Sequence, residues 1–377
     1  MKRFWLRRDS DTNGGDLPSS DRHRLSTARN ASLDVLRCLL MFGVVLQHTF
    51  AVCKYGGVVA YSSYIVWDCL THPSVDGFTA ISGWFGVRCT LRKLFRLGCL
   101  ILFCGTLHWF VYQVGQILCG PYFASRLGLE LKDIPFRYEC FRYWYLGAYI
   151  KLMLLTVILN PAFGLLARMG KLWTAVSLLL VVAGSYLSLL WIPWQSHSPR
   201  TVIFIYVVVR LLMMLGLERA MRDSRFFRRS SFCILAGLTS VIVIDALCRK
   251  YGVSEWNRLG INSWNSRNPL TVLTGIFVVA CFSVLELPQE SRLVRLCCKI
   301  APSMISVYML HWNFMETFFK PLPQMMLSKI PHFPIVASFV ICAIAIFLLC
   351  TTIDLCRRWV LEKTRPHWPD FLLGITR

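Results

Sequence analysis

Long apolar blocks alternate with shorter polar and basic connections along this chain. The blocks are continuously apolar, whereas the strands of a membrane barrel would alternate every second residue. A helix needs about 20 apolar residues to cross roughly 30 Å of hydrocarbon, and most blocks have this length. The pattern therefore predicts an all-α, polytopic membrane protein. Ten spans are predicted, at residues 33–53, 66–87, 94–116, 143–160, 172–192, 201–217, 231–248, 269–286, 301–319 and 334–355.

The second span is the least regular, because Asp68, His72 and Pro73 interrupt its first half. Residues 54–74 are therefore expected to lie partly along the membrane surface. The rest of the chain divides simply. We predict a disordered basic cytoplasmic tail at 1–30, one membrane domain at 31–356 and a cytoplasmic C-terminal tail at 357–377.

Composition supports the membrane assignment and changes the interpretation of the charge. Hydrophobic residues make up 55% of the chain, and its mean hydropathy is +0.52, both high for a soluble domain. The formal net charge of +21 invites a nucleic-acid partner. However, 26 Lys and Arg lie in the connections on the side of the two termini, and 12 lie in the opposite connections. This asymmetry predicts cytoplasmic termini in the plasma (inner) membrane, contact with anionic lipid and no nucleic-acid binding.

The 16 cysteines do not predict a metal site. Most lie within predicted spans, where cysteine behaves as a small apolar residue. Cys297 and Cys298 are adjacent, which is the wrong spacing for a zinc pair. We therefore expect no metal.

The first span carries three ionisable residues, Asp34, Arg37 and His48. Charged groups in a bilayer are costly, so they are functional candidates. Arg37 and His48 are eleven residues apart, close to three helical turns, so they share a face about 16 Å apart along the axis. Asp34 lies one turn before Arg37 and is expected to pair with it. The competing interpretation is an interfacial pair that anchors the helix and a histidine satisfied by packing.

The second span and the connection after it hold the next group of candidates. Asp76 and Ser82 lie in the span; Ser82 has a nucleophile's hydroxyl, but a Ser-Gly pair in a membrane helix is more often a packing site. The connection carries a cationic stripe at helical spacing that suits phosphate groups, although any cytoplasmic connection carries Lys and Arg. The cationic stripe consists of Arg88, Arg92, Lys93 and Arg96.

Three further ionisable residues, Lys151, Arg210 and His311, lie within later predicted spans. They allow an alternative function, in which the chain is a transporter or flippase of a polar or anionic substrate. No repeated halves and no matching pair of broken helices accompany them in the sequence, which weakens this alternative.

Several segments resemble the acyltransferase 3 family of membrane O-acyltransferases. Arg37 and His48, separated by ten residues and preceded by Leu33–Leu36, match a motif of that family's first helix. Residues 75–85 are similar to its second-helix signature, and the cationic stripe follows at the corresponding place. Residues 143–146 with Asn160-Pro161, and residues 307–311 ending in His311, are similar to two later segments. The resemblance covers residues 31–355.

The resemblance implies ten helices, an acyl-CoA donor, expected to be acetyl-CoA, and a hydroxyl acceptor on a cell-surface or lipid-linked glycan. It assigns the catalytic histidine to His48 and its partner arginine to Arg37. Gly98, where proline is common in the family, and Arg210, where an apolar or aromatic residue is expected, depart from the pattern.

The mechanism implied places the CoA phosphates on the cationic stripe and the thioester near His48. An imidazole titrates near neutral pH, so His48 suits a general base that activates the acceptor hydroxyl. An acyl-histidine intermediate is equally consistent with the residues.

The charge asymmetry generates a topology prediction. A reporter fused after residue 377 should report the cytoplasm, and a reporter inserted within residues 120–140 should report the exterior, because basic connections stay inside. Paired alkaline phosphatase and fluorescent protein fusions measure both positions. An external C-terminus would contradict the prediction.

Overall fold

The structure, a computed structural model, describes residues 30–55, 67–119, 143–191, 199–250, 269–315 and 335–364. Within these ranges it is helical and contains no strand, which confirms the all-α prediction. The helices are α1 Ala31–Tyr55, α2 Pro73–Phe85, α3 Leu91–Cys119, α4 Trp144–Met169, α5 Lys171–Trp191, α6 Pro199–Met214, α7 Leu217–Asp223, α8 Arg225–Lys250, α9 Pro269–Val284, α10 Arg292–Ile300, α11 Met304–Phe314 and α12 Ile335–Thr364.

Every predicted span overlaps at least one of these helices. Five segments of the described residues are long and apolar enough to cross a membrane, or six when α6 and α7, which meet at a bend of 61°, count as one span. Three shorter apolar helices accompany them. The multi-pass membrane assignment is therefore confirmed, while the count of ten spans stays a prediction.

The ends of several helices differ from the predicted spans. The second span is divided: residues 67–71 are helical, a turn follows at His72, and α2 starts at Pro73, where the missing N–H of proline costs no helical hydrogen bond. α4 continues through Pro161 to Met169, and α12 continues to Thr364, into the predicted C-terminal tail. Residues 1–29, 56–66, 120–142, 192–198, 251–268, 316–334 and 365–377 lie outside the described ranges, and with them most of the segment 54–74 that was expected to lie along the membrane surface.

α1 lies at the centre of the bundle and packs against α2, α9, α10, α11 and α12. Its direction relative to these neighbours follows from residue pairs. Cys38 contacts Cys297 near the start of α1, and His48 contacts His311 near its other end. α10 and α11 together therefore run parallel to α1. Arg358, near the end of α12, donates a hydrogen bond to the carbonyl oxygen of Lys299, so α12 runs antiparallel to α1. The start of α1 and the end of α12 therefore lie on the same side of the bundle.

Small residues bring α2 close to its neighbours. A Cβ added to Gly275 of α9 would lie 2.7 Å from Cβ of Asp76, and one added to Gly83 of α2 would lie 2.9 Å from the carbonyl oxygen of Tyr206. Ser74 of α2 likewise contacts Gly43 of α1. Close backbone approach is the usual way in which membrane helices gain packing energy, since lipid provides no hydrophobic drive between them.

This packing predicts the effect of a methyl group at two glycines. Gly275→Ala should destabilise the protein by about 1–3 kcal/mol, because the new Cβ overlaps Asp76. Gly237→Ala is the matched control: its Cβ meets nothing within 4 Å, and alanine favours a helix over glycine by up to about 1 kcal/mol. Thermal unfolding of the purified protein in detergent measures both. Equal melting temperatures for the two variants would contradict the α2–α9 packing.

Candidate active site

Two histidines from distant parts of the chain meet inside the bundle. His48 of α1 and His311 of α11 are joined through Nδ1 and Nε2 at 2.6 Å, with their rings 8° from parallel. His311 is completely buried, and His48 is partly buried. The sequence placed both residues among the candidates but did not predict that they touch.

Hydrogen bonding fixes the tautomers of the pair. Nδ1 of His311 lies 3.0 Å from the carbonyl oxygen of Val307, one turn earlier on α11. A carbonyl oxygen only accepts, so His311 donates from Nδ1 and its Nε2 is an acceptor. His48 therefore donates its Nδ1 proton to that acceptor, and the lone pair of the neutral His48 ring is on Nε2. The pair thus orients His48 and leaves its Nε2 as the basic nitrogen.

Aromatic side chains hold the pair in place. Trp312 packs edge-on against His48 with ring centroids 4.9 Å apart, and Tyr308 packs against His311 at 5.9 Å. Tyr308 in turn contacts Tyr143 and Tyr145 at the start of α4, at 5.6 and 5.7 Å. Two family-like segments found in the sequence, 143–146 and 307–311, therefore pack against each other beside the histidines.

A cavity of about 320 Å³ extends along α1 below the histidine pair. One end is lined by Arg37, Phe85, Gly86 and Lys93 and is the cationic mouth of the cavity. The other end is lined by Val44, which lies one helical turn before His48, and by Tyr308, which lies one turn before His311. The wall between the two ends is mostly apolar and aromatic. It consists of Met41, Val75, Phe78, Ile81, Ser82, Val87, Tyr145, Leu146, Tyr149, Ala301, Pro302, Met304 and Ile305.

Arg37 is held at the mouth by two contacts. Its Nη1 donates to Oδ1 of Asp34 at 2.5 Å, and its guanidinium lies 5.3 Å from the centre of the Phe85 ring. Asp34 is completely buried, whereas the Arg37 side chain is 30% exposed. The predicted pair of Asp34 and Arg37 is therefore present, and it directs the arginine toward the cavity instead of only anchoring the helix.

The loop between α2 and α3 forms another side of the mouth. Gly86 has a φ of 76°, which glycine adopts readily, and its N–H bonds the carbonyl of Ser82 to end α2. The hydroxyl of Tyr206 accepts from the Val87 N–H at 3.1 Å, and the Asn160 amide donates to the Val87 carbonyl at 3.0 Å. Side chains from α4 and α6 therefore fix the start of the cationic stripe.

Only part of the cationic stripe reaches the cavity. Lys93 lines it. Arg88, Arg92 and Arg96 are exposed on the same side of the bundle and are not among the lining residues.

A family model described as an acyltransferase domain, that of the acyltransferase 3 family, matches residues 30–354. The match covers nearly the whole chain and all of the residues that build the pair and the cavity. This chain belongs to the acyltransferase 3 family. Neither the search of curated proteins nor the search of solved structures found a match. Family membership makes the chain a multi-pass membrane acyltransferase and confirms the resemblance seen in its motifs.

The remaining sequence candidates lie at different places in this acyltransferase. Ser82 lines the cavity, and its hydroxyl donates to the Phe78 carbonyl at 3.1 Å. It lies ten residues, or about 15 Å along α2, from His72, the residue that meets the His48 level of the bundle. Ser82 therefore does not contact His48 and serves the wall of the cavity.

Asp76 is buried against Gly275 of α9 and does not line the cavity. One turn before it, His72 and Asp68 form a polar cluster with Gln47, whose Nε2 lies 2.9 Å from His72 Nδ1 and 2.7 Å from Asp68 Oδ1. This cluster connects α1 to the start of α2 directly beside His48. The sequence showed these polar residues but not the partner helix that satisfies them.

The three residues that suggested a transporter do not line one path through the described bundle. Lys151 is exposed on α4, Arg210 lies at the cationic mouth beside Gly86, and His311 is buried against His48. Arg210 was predicted in mid-span, but α6 ends at Met214, so it lies near the end of the helix.

Tyr308, Tyr145 and Trp312 were not recognised as site residues, although the first two lie in the family-like segments.

Proposed function

We propose that this acyltransferase moves an acyl group, expected to be acetyl, from acyl-CoA to a hydroxyl group of a cell-surface or lipid-linked glycan. The observation that supports the proposal most directly is the oriented His48 ring above a cavity with a cationic mouth. The basic nitrogen, the apolar channel and the cations lie in the order in which a thioester, a pantetheine arm and phosphates follow each other in acyl-CoA.

The cavity suits the donor in size and in polarity. Its 320 Å³ lies at the lower end of small-molecule sites, which usually range from about 300 to 1,000 Å³. Arg37 and Lys93 at the mouth match phosphate groups, and the aromatic and aliphatic wall matches an uncharged arm. The arm would then carry the thioester to the level of Val44, about 6 Å along α1 from His48.

The transfer step uses one base. Nε2 of His48 accepts the proton of the acceptor hydroxyl while the oxygen attacks the thioester carbonyl carbon. The carbon–sulfur bond then breaks, and the CoA sulfur takes the proton back from His48. The products are an ester on the acceptor and free CoA with its thiol. His48 returns to its starting tautomer because its Nδ1 proton stays hydrogen-bonded to Nε2 of His311.

The same tautomer also allows a covalent route, in which Nε2 attacks the thioester and an acyl-imidazole forms before the acceptor arrives. The two routes can be distinguished by the reactions that occur when no acceptor is present. Only the covalent route exchanges label between acetyl-CoA and radioactive CoA, because only it releases CoA reversibly at that stage. Incubation of the purified protein with both compounds measures this exchange. If His48 acts as the general base of the proposed step, no exchange occurs; rapid exchange would establish the acyl-histidine instead.

The acceptor and the orientation complete the proposal. The glycan acceptor follows from the family resemblance, and the cluster of Gln47, Asp68 and His72 adds polar groups at the level of His48, since Gln47 directly precedes it on α1. The 26 to 12 distribution of Lys and Arg predicts that the mouth faces the cytoplasm, where acyl-CoA is made, and that His48 lies toward the exterior. The plasma (inner) membrane is the expected location.

His48→Ala should lower acyl transfer by roughly 10²- to 10⁴-fold, the usual contribution of a general base. His48→Gln should be equally inactive, because glutamine keeps a hydrogen-bonding group of similar reach but takes no proton at neutral pH. Transfer from radioactive acetyl-CoA in membrane vesicles measures activity, and immunoblotting of the same vesicles controls for abundance. Full activity of His48→Gln would remove His48 from the chemistry.

His311 offers a matched pair of variants. Glutamine at 311 places an amide oxygen near the position of Nε2, so it still accepts the proton of His48 Nδ1; asparagine reaches only the position of Nδ1 and loses that acceptor. We expect kcat to fall about tenfold or more with asparagine, to recover in large part with glutamine, and KM for acetyl-CoA to stay unchanged in both. Equal losses in the two variants would mean that His311 only packs the core.

A further inference from the structure

Arg210 of α6 lies beside the cationic mouth, although it belongs to neither the first-helix motif nor the cationic stripe. A Cβ added to Gly86 would lie 3.2 Å from Cζ and 3.3 Å from Nη1 of Arg210. Gly86 itself lines the cavity, together with Arg37 and Lys93. The bare backbone of Gly86 therefore lets the guanidinium from α6 approach the rim of the cavity.

Arg210 has no counter-charge among the residues that the structure describes. No carboxylate there lies within 4.0 Å of its guanidinium, and its buried Nε has no hydrogen-bond partner. Its electrostatic neighbours are Tyr206, four residues earlier on α6, and another cation, Arg88. By contrast, Arg37 pairs with Asp34 at 2.5 Å and Arg357 pairs with Asp354 at 2.7 Å, each three residues earlier on its own helix.

A half-buried arginine without an anion is costly in a membrane protein, and a second cation nearby raises that cost. Arg357, a structural arginine of this bundle, is neutralised by a carboxylate of the same helix. The residues three positions before and four positions after Arg210 are Val207 and Met214, so these neighbours on α6 supply no carboxylate. The charge is therefore explained best by an anion that arrives with a ligand.

We infer that Arg210 binds a phosphate group of the acyl donor at the cationic mouth, together with Lys93 and Arg37. The inference rests on the proposed acyl-CoA donor and adds to it a phosphate ligand from a third helix. Guanidinium binds phosphate through two parallel hydrogen bonds, which suits a fixed group at the rim better than the exposed side chains of Arg92 and Arg96.

The test compares two thioesters that differ in their phosphates. Acetyl-CoA carries the phosphates, and S-acetylpantetheine carries the same reactive arm without them. Arg210→Gln should raise KM for acetyl-CoA by roughly 10- to 100-fold, the range for one charge-assisted hydrogen-bonding group, and leave S-acetylpantetheine unchanged. The KM of Arg210→Lys for acetyl-CoA should lie between that of the wild type and that of Arg210→Gln. Lys151→Gln, which removes an exposed membrane-helix cation away from the cavity, is the control and should match the wild type.

Ligand-induced stabilisation gives a readout that does not need turnover. Without ligand, Arg210→Gln should melt at the same temperature as the wild type or higher, because an uncompensated charge is removed. With saturating CoA, the wild type should gain stability and the variant should gain much less. A lower melting temperature of the ligand-free variant would instead indicate a structural arginine and overturn the inference.

The outcomes separate the inference from the proposed donor. If the wild type binds neither acetyl-CoA nor CoA, the proposed donor is wrong and the inference falls with it. If the wild type binds both and Arg210→Gln binds them equally well, only the inference is wrong. Measurements in neutral phosphatidylcholine nanodiscs and in discs containing phosphatidylglycerol distinguish the source of the phosphate. A defect that appears only with the anionic lipid would assign Arg210 to a lipid headgroup and overturn the donor assignment.

Discussion

The hydrogen bond between His48 and His311 joins two helices whose residues are 263 positions apart in the chain. In a bilayer, each imidazole must find its partner within the protein, because hydrocarbon offers none. Nδ1 of His311 donates a hydrogen bond to the carbonyl oxygen of Val307, and its Nε2 accepts one from His48. The tautomer of the candidate active site is therefore set by the need of a buried histidine to use both of its nitrogens, and α1 and α11 must keep their register for it to persist.

That register depends on close packing around α1 and α2. Ser74 against Gly43, and Asp76 against Gly275, bring helix backbones near enough that a single methyl group would not fit. Aromatic rings fill the space at the other side of the site, where Tyr308 contacts Tyr143 and Tyr145 and Trp312 contacts His48. The cavity lies between these two packed regions, and its lining includes Val75, Phe78 and Ile81 of α2 together with Tyr145 and Tyr308.

Charge is divided between the two ends of the cavity. The mouth has cations from α1, α3 and α6, of which only Arg37 has a carboxylate partner among the described residues. The histidine end lies next to a cluster of Gln47, Asp68 and His72, whose members satisfy one another. One end is therefore suited to receive an anion, whereas the polar groups at the other end satisfy one another beside the histidine pair. This separation agrees with the proposed transfer of a neutral acyl group from an anionic carrier.

The sequence by itself determined the membrane class, the approximate positions of the helices and the family, because long apolar blocks and the motif of Arg37 and His48 are local patterns. It also placed Asp34 beside Arg37, since residues three apart share a helix face. Only the tertiary structure decided that His311 orients His48, that Lys93 but not Arg92 reaches the cavity, and that Arg210 lies at the mouth. These relations join helices that no local periodicity connects. They follow from backbone packing and from the requirement that buried polar groups be satisfied across helices.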